Sequence, residues 1–490
     1  MENKTSKVPH VLALPYPSQG HVNPMLHFCK RLASKGLKAT LATTIFISNT
    51  FNPQSTASVQ LDTISDGYDD GGFTHAKSID DYLARLQVSG SKTLAELITR
   101  HNNSTYPIDC IVYDGFLPWA LDVAHQLGIK GAAFFTQACT VNYVYYCVHH
   151  RQLTLPVTTF PVSIDGLELL LDQLHDMPSF IGVEGSYPAY FEMLLSQFSN
   201  AHKADFVLVN TVYELEEQVV DSMSKVCSLL TIGPTIPSIY LDNRIEDDKD
   251  YGIDLFTSND SSTFLTNNWL KNKPVGSVVY MSFGSMACLS GKQMEELAYG
   301  LKATNFYFIW AIRYSEEAKL PDKFAQETRD KGLIVNWSSQ VEILSHPSVG
   351  CFFTHCGWNS TIEALSLGVP MVGMPQWTDQ PTDAKLIEHL WKVGVRVKVG
   401  EDGIVGRKEI EHCIRQVLEG DRGTEIRKNA KKWRNLALQA ISDGGSSDKN
   451  ILLRHNLWKD IFGGDYRGAE EDHLGVIFAE VVDMREEEDA

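Results

Sequence analysis

The stretch Val11–Thr44, VLALPYPSQGHVNPMLHFCKRLASKGLKATLATT, decides the fold. Its first four residues form a short apolar run, the pattern of a parallel strand buried on both faces. A Pro/Ser/Gly turn follows, and then Met25, Leu26, Phe28, Cys29 and Leu32 recur at a spacing that places them on one face of a helix. Gly36 stops that helix, and Leu37–Thr44 begins a second strand. A strand, a helix and a second strand at this spacing make a β-α-β unit.

The cadence returns further on. Asp109–Tyr113 reads as a strand, Trp119–Leu127 as a helix, Gly131–Phe135 and Phe206–Asn210 as further strands. The composition then changes. Residues 241–274 include DNRIEDDKDYGIDLFTSNDSSTFLTNNWLKNKP, polar and rich in turn formers, which predicts an interdomain linker with a short helix near its end. A second α/β series starts beyond it. Its strands are expected at Ser277–Phe283, Tyr307–Ile312, Gly332–Val335, Val349–Thr354 and Pro370–Met374, and its helices at Gly291–Lys302, Ser360–Leu367, Arg407–Glu419 and Glu425–Ser442. Two similar α/β halves predict two Rossmann-like, doubly wound domains facing a central cleft, residues 1–240 and 275–445. Residues 446–462 are expected to form a C-terminal helix packing back toward the first domain. Residues 463–490 are expected to be a solvated acidic tail, because 464–490 carry ten acids against two bases.

A chain of 490 residues is long enough for two such cores. With 43% hydrophobic and 21% charged residues it has a globular composition, and a formal net charge of −18 argues against a nucleic-acid or anionic-membrane footprint. MENKTSKVPH lacks the apolar core of a signal peptide, and no stretch reaches the ~20 apolar residues of a membrane span. Nine cysteines without a CxxC pair fit reduced thiols in the cytosol, with Cys351 and Cys356 read as inert and buried. No DxD-type metal motif sits at a strand end; DDGG and DDKD read as solvated turns. A monomer is the simplest assembly.

An acidic protein that handles a phosphorylated ligand needs a local anion site, and strand–turn–helix junctions supply one. In WSSQVEILSHPSVGCFFTHCGWNSTIEALSLGVPMVGMPQWTDQ, Trp337–Gln380, the strand ending at Thr354 runs into a tight turn at Gly357. Asn359 and Ser360 stand where an N-cap is expected, with Glu363 three or four residues on, and His355 is at the strand end. Spacing alone leaves two readings open here, a pyrophosphate cradle or an ordinary capped helix with a buried histidine.

The whole 44-residue stretch resembles the signature box of plant secondary-product UDP-glycosyltransferases, family 1 enzymes of the GT-B fold. The likeness runs from about Pro9 to about Phe462 and includes PYPSQGHVNPML and GGSSDKN. It implies that Trp337 stacks on uracil, that Glu363 accepts from the ribose hydroxyls, and that His355, Asn359, Ser360 and Ser285 hold the diphosphate. Gln340, Gly357 and Trp358 belong to the same implied donor site. Asp379 and Gln380 would hold the sugar, and Gln at the last box position goes mostly with glucose. UDP-glucose is then the donor co-substrate, and no cofactor or metal is implied.

His21 in SQGHVNP and Asp114 in VYDGF each follow a first-domain strand, so both are expected at the same sheet edge. An acceptor hydroxyl is a weak nucleophile that needs a base working near neutral pH, and imidazole oriented by a carboxylate meets that need. The resemblance gives the two residues these roles. Aromatic density in the first domain suggests an acceptor pocket with Phe116, Gln137 and Tyr187, joined by Trp377. Other candidates lie in FLPW (Phe116–Trp119), in FFTQ (Phe134–Gln137), in the tyrosine run Tyr143–Tyr146, and at Phe180, Phe191 and Gln376.

The implied reaction is an inverting transfer of glucose to a hydroxyl of a small lipophilic metabolite, phenolic or terpenoid. The alternatives are a glucose ester formed on a carboxylate acceptor, or another UDP-sugar; the subgroup it resembles includes enzymes of both product types. An NAD-dependent oxidoreductase is disfavoured because the first turn reads PYPSQGH, not GxGxxG. A silent binding protein is disfavoured because His21, Asp114, Asp379 and Gln380 are all present.

Overall fold

The computed structural model describes residues 8–49, 58–167, 171–183, 185–246, 248 and 260–452. The first half builds a seven-stranded sheet from β1 (His10–Leu14), β2 (Lys38–Thr44), β3 (Gln60–Ile64), β4 (Cys110–Asp114), β5 (Lys130–Phe135), β6 (Phe206–Val209) and β7 (Leu229–Thr231). Their spatial order is β3-β2-β1-β4-β5-β6-β7, and every pair is parallel. The second half builds six strands: β8 (Val278–Ser282), β9 (Tyr307–Ala311), β10 (Gly332–Val335), β11 (Val349–Thr354), β12 (Met371–Gly373) and β13 (Gly394–Arg396). These run β10-β9-β8-β11-β12-β13, again all parallel.

Parallel strands covered by helices on both faces must be apolar throughout, and β1, β4, β8 and β11 are buried at every residue. In each sheet the order reverses once, at β1/β4 and at β8/β11. Such switch points leave a crevice at the carboxyl ends of the strands, where ligands bind. A single apolar cluster runs through both halves, from Leu12 and Leu14 to Trp358, Trp391 and Ala440. The two sheets are thus held against each other by core packing as well as by polar contacts.

Three strands escaped the sequence reading: β3, β7 and β13. All are sheet edges; β7 and β13 are only three residues long, so a two-residue period has no room to show. The helix Ile79–Asn102 also escaped it, although Tyr82, Leu86, Leu94, Leu97 and Ile98 line its buried face and the Ser78 hydroxyl caps it by accepting from the Asp81 amide.

One expectation is overturned. The DDKD segment is not wholly a solvated turn, because the Asp248 side chain is buried. It accepts from the Lys30 ammonium at 2.8 Å and lies 3.2 Å from His27 Nδ1, and these partners hold its carboxyl far below the usual carboxylate range. A buried carboxylate survives only where such partners replace water. Residues 249–259 of the linker, the part of the C-terminal helix beyond 452 and the acidic tail lie outside the described residues. The helix Ser446–Leu452 packs on the first half, with Asn450 Nδ2 donating to the Thr231 carbonyl at 2.8 Å and Lys35 paired to Asp448.

Candidate active site

The second-half switch point sets the anion site. Thr354 at the end of β11 lies in register with Ser282 at the end of β8, so the loops that follow, carrying His355 and Ser285, start side by side. The chain turns sharply through Cys356, a non-glycine residue at φ +66°, and enters the helix Trp358–Leu367. Here the structure corrects the sequence reading. The N-cap is Gly357, and Asn359 and Ser360 lie inside the first turn. Glycine brings no side-chain oxygen, so the N-cap residue itself caps nothing. The Trp358 amide meets the Asp379 carboxylate at 3.4 Å, and the amides of Asn359 and Ser360, with the positive dipole end, are left to an external anion.

His355 sits between two glycines. A Cβ placed on Gly284, which has φ +71°, or on Gly357 would stand 2.7 Å from His355 Nε2. Either side chain would displace the imidazole. Burial pulls His355 down to about 4, so the ring is neutral at pH 7 and offers one N–H donor and no full charge.

These groups line a cavity of about 550 Å³ between the halves. It brings together Ser285, Trp337, Gln340, His355, Gly357, Trp358, Asn359, Ser360 and Glu363 from the second half. From the first it takes Gln19, Gly20, Asn23, Pro24 and His27. Glu363 is nearly fully buried and accepts from Gln340 Nε2 at 2.7 Å; the same nitrogen donates to Ser360 Oγ at 2.9 Å. The Asn359 amide donates across the cleft to the Gly20 carbonyl at 2.7 Å, and the Trp358 indole to the Asn210 carbonyl at 2.6 Å. Arg313, which sequence reading passed over, holds the loop after β8 by donating to the carbonyls of Ser285 and Ala287.

His21 and Asp114 do meet. His21 Nδ1 lies 2.7 Å from Asp114 Oδ2, and a carboxylate only accepts, so Nδ1 carries the proton and Nε2 keeps its lone pair. Asp114 is itself fixed by the amides of Tyr16 at 3.2 Å and Phe116 at 3.0 Å. Thr136 Oγ1, within the FFTQ stretch, lies 3.3 Å from the same ring nitrogen. Asp114 is buried, while His21 retains a 16% exposed side chain.

The remaining residues read from the sequence lie outside the lining of that cavity. Phe116 packs at 4.8 Å from the His21 ring centroid, and Tyr16 at 5.4 Å. Trp377, from the second half, is ringed by first-half aromatics: Tyr187 at 5.3 Å, Phe180 at 5.8 Å and Tyr190 at 5.8 Å. Tyr190, between the named Tyr187 and Phe191, was missed by the sequence reading. Gln137 is buried with its side-chain oxygen unpaired among the described residues. Phe134, Phe135 and Tyr145 are fully buried core and leave the set of acceptor candidates.

Asp379 and Gln380 are buried at the start of the helix Gln380–Lys385. Gln380 Oε1 accepts the amides of Gln376 at 2.9 Å and Trp377 at 3.1 Å, which leaves its –NH2 for a ligand. Asp379 reaches the Trp358 amide at 3.4 Å. Its neighbour Asp383 is fully buried, and burial, with the Asp379 charge beside it, pushes its carboxyl well above the ordinary range. A folded-state value raised above the unfolded one contributes stability below about pH 4 that is lost as pH rises toward the folded value. Asp383→Asn supplies an uncharged donor of the same shape. We expect it to raise the thermal midpoint at pH 7, with the gain shrinking toward pH 4, and to leave turnover within about twofold. Thermal unfolding across that pH range checks this.

Among the described residues no group of three or more His, Cys, Asp or Glu is placed to hold a metal ion, and no helix is long and apolar enough to cross a membrane. All nine cysteines are free thiols; Cys351 and Cys356 are fully buried, and Cys288 is exposed.

The chain is similar to known proteins over most of its length. A family profile described as UDP-glucoronosyl and UDP-glucosyl transferase matches residues 258–430. UDP-glycosyltransferase 74F2 of Arabidopsis thaliana is 54% identical over 455 residues, 92% of this chain and 98% of that protein. Flavonol 7-O-beta-glucosyltransferase UGT74F1 of the same plant is 51% identical over 446 residues, covering 90% and 96%. Among solved structures, Os79 from O. sativa in complex with UDP superposes with a TM-score of 0.84 at 39% identity, covering 90% of this chain and 98% of that one.

Proposed function

The chain belongs to the UDP-glucuronosyl and UDP-glucosyl transferase family, with two Rossmann-like domains in the GT-B arrangement, and on that premise we propose that it moves glucose from UDP-glucose to a hydroxyl of a small lipophilic acceptor. The observation that carries the reading is the His21–Asp114 pair, 2.7 Å apart at one switch point, joined across the cleft to the first turn of the helix at the other by the Asn359 bond to Gly20.

In this reading Trp337 stacks on the uracil and Glu363 takes the ribose hydroxyls, displacing Gln340 from its present bond. The first amides of Trp358–Leu367, neutral His355 and the Ser285 hydroxyl receive the diphosphate. Asp379 and the Gln380 amide nitrogen hold glucose hydroxyls. His21 Nε2 removes the acceptor proton as the oxygen attacks the anomeric carbon from the face opposite UDP, which inverts that centre to a β-glucoside. Asp114 stabilises the imidazolium that forms. The negative charge arriving on the leaving diphosphate is met by backbone amides, where other phosphate enzymes use a divalent cation.

Phe116, Gln137, Tyr187 and Trp377 are assigned to the acceptor side, an apolar and aromatic wall with few polar groups, suited to a flat phenolic or terpenoid skeleton. The similarity to a flavonol 7-O-beta-glucosyltransferase supports a phenolic hydroxyl and a β product. Nine unpaired thiols support a reducing, cytosolic setting.

The test is UDP release on mixing the protein with UDP-glucose and each of four acceptors: quercetin, 4-nitrophenol, benzoate and a triterpenoid alcohol. Proton NMR of the product reads the anomeric configuration. A β-glucoside from a hydroxyl acceptor is expected. Turnover confined to benzoate, or an α-linked product, would overturn the reading.

A further inference from the structure

The segment 172–191 belongs to the first half by sequence, yet its polar contacts go to the second. Asp176 is 2% exposed, and its Oδ1 accepts from Arg396 Nη1 at 3.0 Å while its Oδ2 lies 3.2 Å from Lys385 Nζ. Its carbonyl accepts the Thr382 hydroxyl at 2.8 Å, and the neighbouring His175 carbonyl accepts Arg396 Nη2 at 2.8 Å. Lys385 also bonds Asp172 at 2.7 Å. Three residues on, Ser179 exchanges two bonds with Thr378: its amide donates to the Thr378 carbonyl at 2.8 Å, and its hydroxyl accepts the Thr378 amide at 2.6 Å.

The elements so joined are the two sides of the reaction. Thr378 to Lys385 contains the proposed sugar-holding pair, Asp379 and Gln380. The segment stapled to it carries Phe180, Tyr187 and Tyr190, the rings packed around Trp377. Thr378 at φ +55° and Tyr187 at φ +48° are both non-glycine residues in left-handed backbone, a conformation that persists only where surrounding contacts impose it.

We infer that Asp176 is a positioning residue: by tying the acceptor-side loop to the sugar-holding helix through Arg396, Lys385 and Thr382, it sets the aromatic acceptor wall at a fixed distance from the bound glucose. A wall anchored only to its own domain would shift relative to the anomeric carbon whenever the cleft opened. A displacement of about 1 Å is enough to cost roughly 10²-fold in an oriented reaction. Asp176, Arg396, Lys385 and Thr382 make no contact with the side chains named for uracil, ribose or diphosphate, and the stapled helix meets that group only through Asp379 at the Trp358 amide, 3.4 Å away, so the effect of breaking the staple falls mainly on the acceptor.

The inference rests on the transferase reading above, and the experiment separates the two. Asp176→Asn keeps the shape and one acceptor oxygen but removes the charge between Arg396 and Lys385. With the best acceptor of the four-compound panel, it is expected to raise acceptor KM about tenfold while the Kd of UDP, by calorimetry, stays within about twofold. Lys385→Met should reproduce the effect, and the double variant should fall short of the product of the singles, because both break one network. Ser179→Ala, which removes a single hydroxyl, gives a milder version should Asp176→Asn fold poorly. Unchanged acceptor KM in a protein that releases UDP normally would overturn the inference alone. A UDP Kd weakened as much as the acceptor KM would also overturn it, as a general loosening. A wild-type protein that binds UDP but releases none from UDP-glucose would remove both.

Discussion

His21→Ala is expected to lower kcat/KM for hydroxyl acceptors by about 10²- to 10⁴-fold, the span of general-base catalysis, while the Kd of UDP is unchanged. Two facts set the size. The acceptor hydroxyl holds its proton far above neutral pH, so attack is slow unless a base takes that proton in the transition state. The imidazole that can do so is already oriented, with Nδ1 committed to Asp114 at 2.7 Å and Nε2 left basic. The nucleotide cavity does not include the His21 ring, which is why affinity for UDP should survive. The comparison with benzoate sharpens the result, since a carboxylate is ionised at pH 7 and needs no base. Its rate should fall much less than that of quercetin. Steady-state kinetics on both acceptors, with calorimetry on UDP, makes the measurement. Equal turnover of wild type and variant on quercetin would remove His21 as the base.

Glu363→Ala should weaken UDP binding by about 100-fold, near 3 kcal/mol, as two hydrogen bonds to an ionised group are lost. The carboxylate is 3% exposed and already satisfied by Gln340, so its position is fixed before the ligand arrives. Removing it loses the ribose contacts and also leaves Gln340 with only Ser360 as a partner on that nitrogen. The specific readout is sugar discrimination. Wild type should bind UDP more tightly than 2′-deoxy-UDP by about tenfold, and Glu363→Ala should bind the two alike. A variant that still prefers UDP would place the ribose elsewhere in the cavity. Helix disruption gives a different signature, because Ser360 and Ile362 share the element and both nucleotides would then lose affinity with the preference intact.

Much of the site was legible because its signals are local. The turn at Gly357, the histidine at the strand end and the helix that follows occupy thirteen consecutive residues, and their chemistry depends on geometry a short segment dictates. Even there a boundary slipped: Asn359 and Ser360 are the better capping residues by type, yet the helix starts at Trp358 with Gly357 as its N-cap. Further from that motif legibility falls. Phe134 and Phe135 have the same side chain as Phe116, yet only Phe116 stands beside His21; the others are core. An aromatic residue after a strand reads the same whether its ring faces a cavity or a neighbouring helix.

By itself, the order of apolar runs, glycines and polar breaks determined two parallel-sheet halves and the strand–turn–helix junction at Gly357. Those features follow from spacing within a few dozen residues, which the backbone must obey wherever it folds. The tertiary structure alone decided which charges are buried and which halves they bind. His21 meets Asp114 across 93 residues, Lys30 meets Asp248 across 218, and Asp176 reaches Arg396 across 220. Side-chain partners that far apart are chosen by which surfaces the packed sheets bring within 3 Å, and no local pattern encodes that distance.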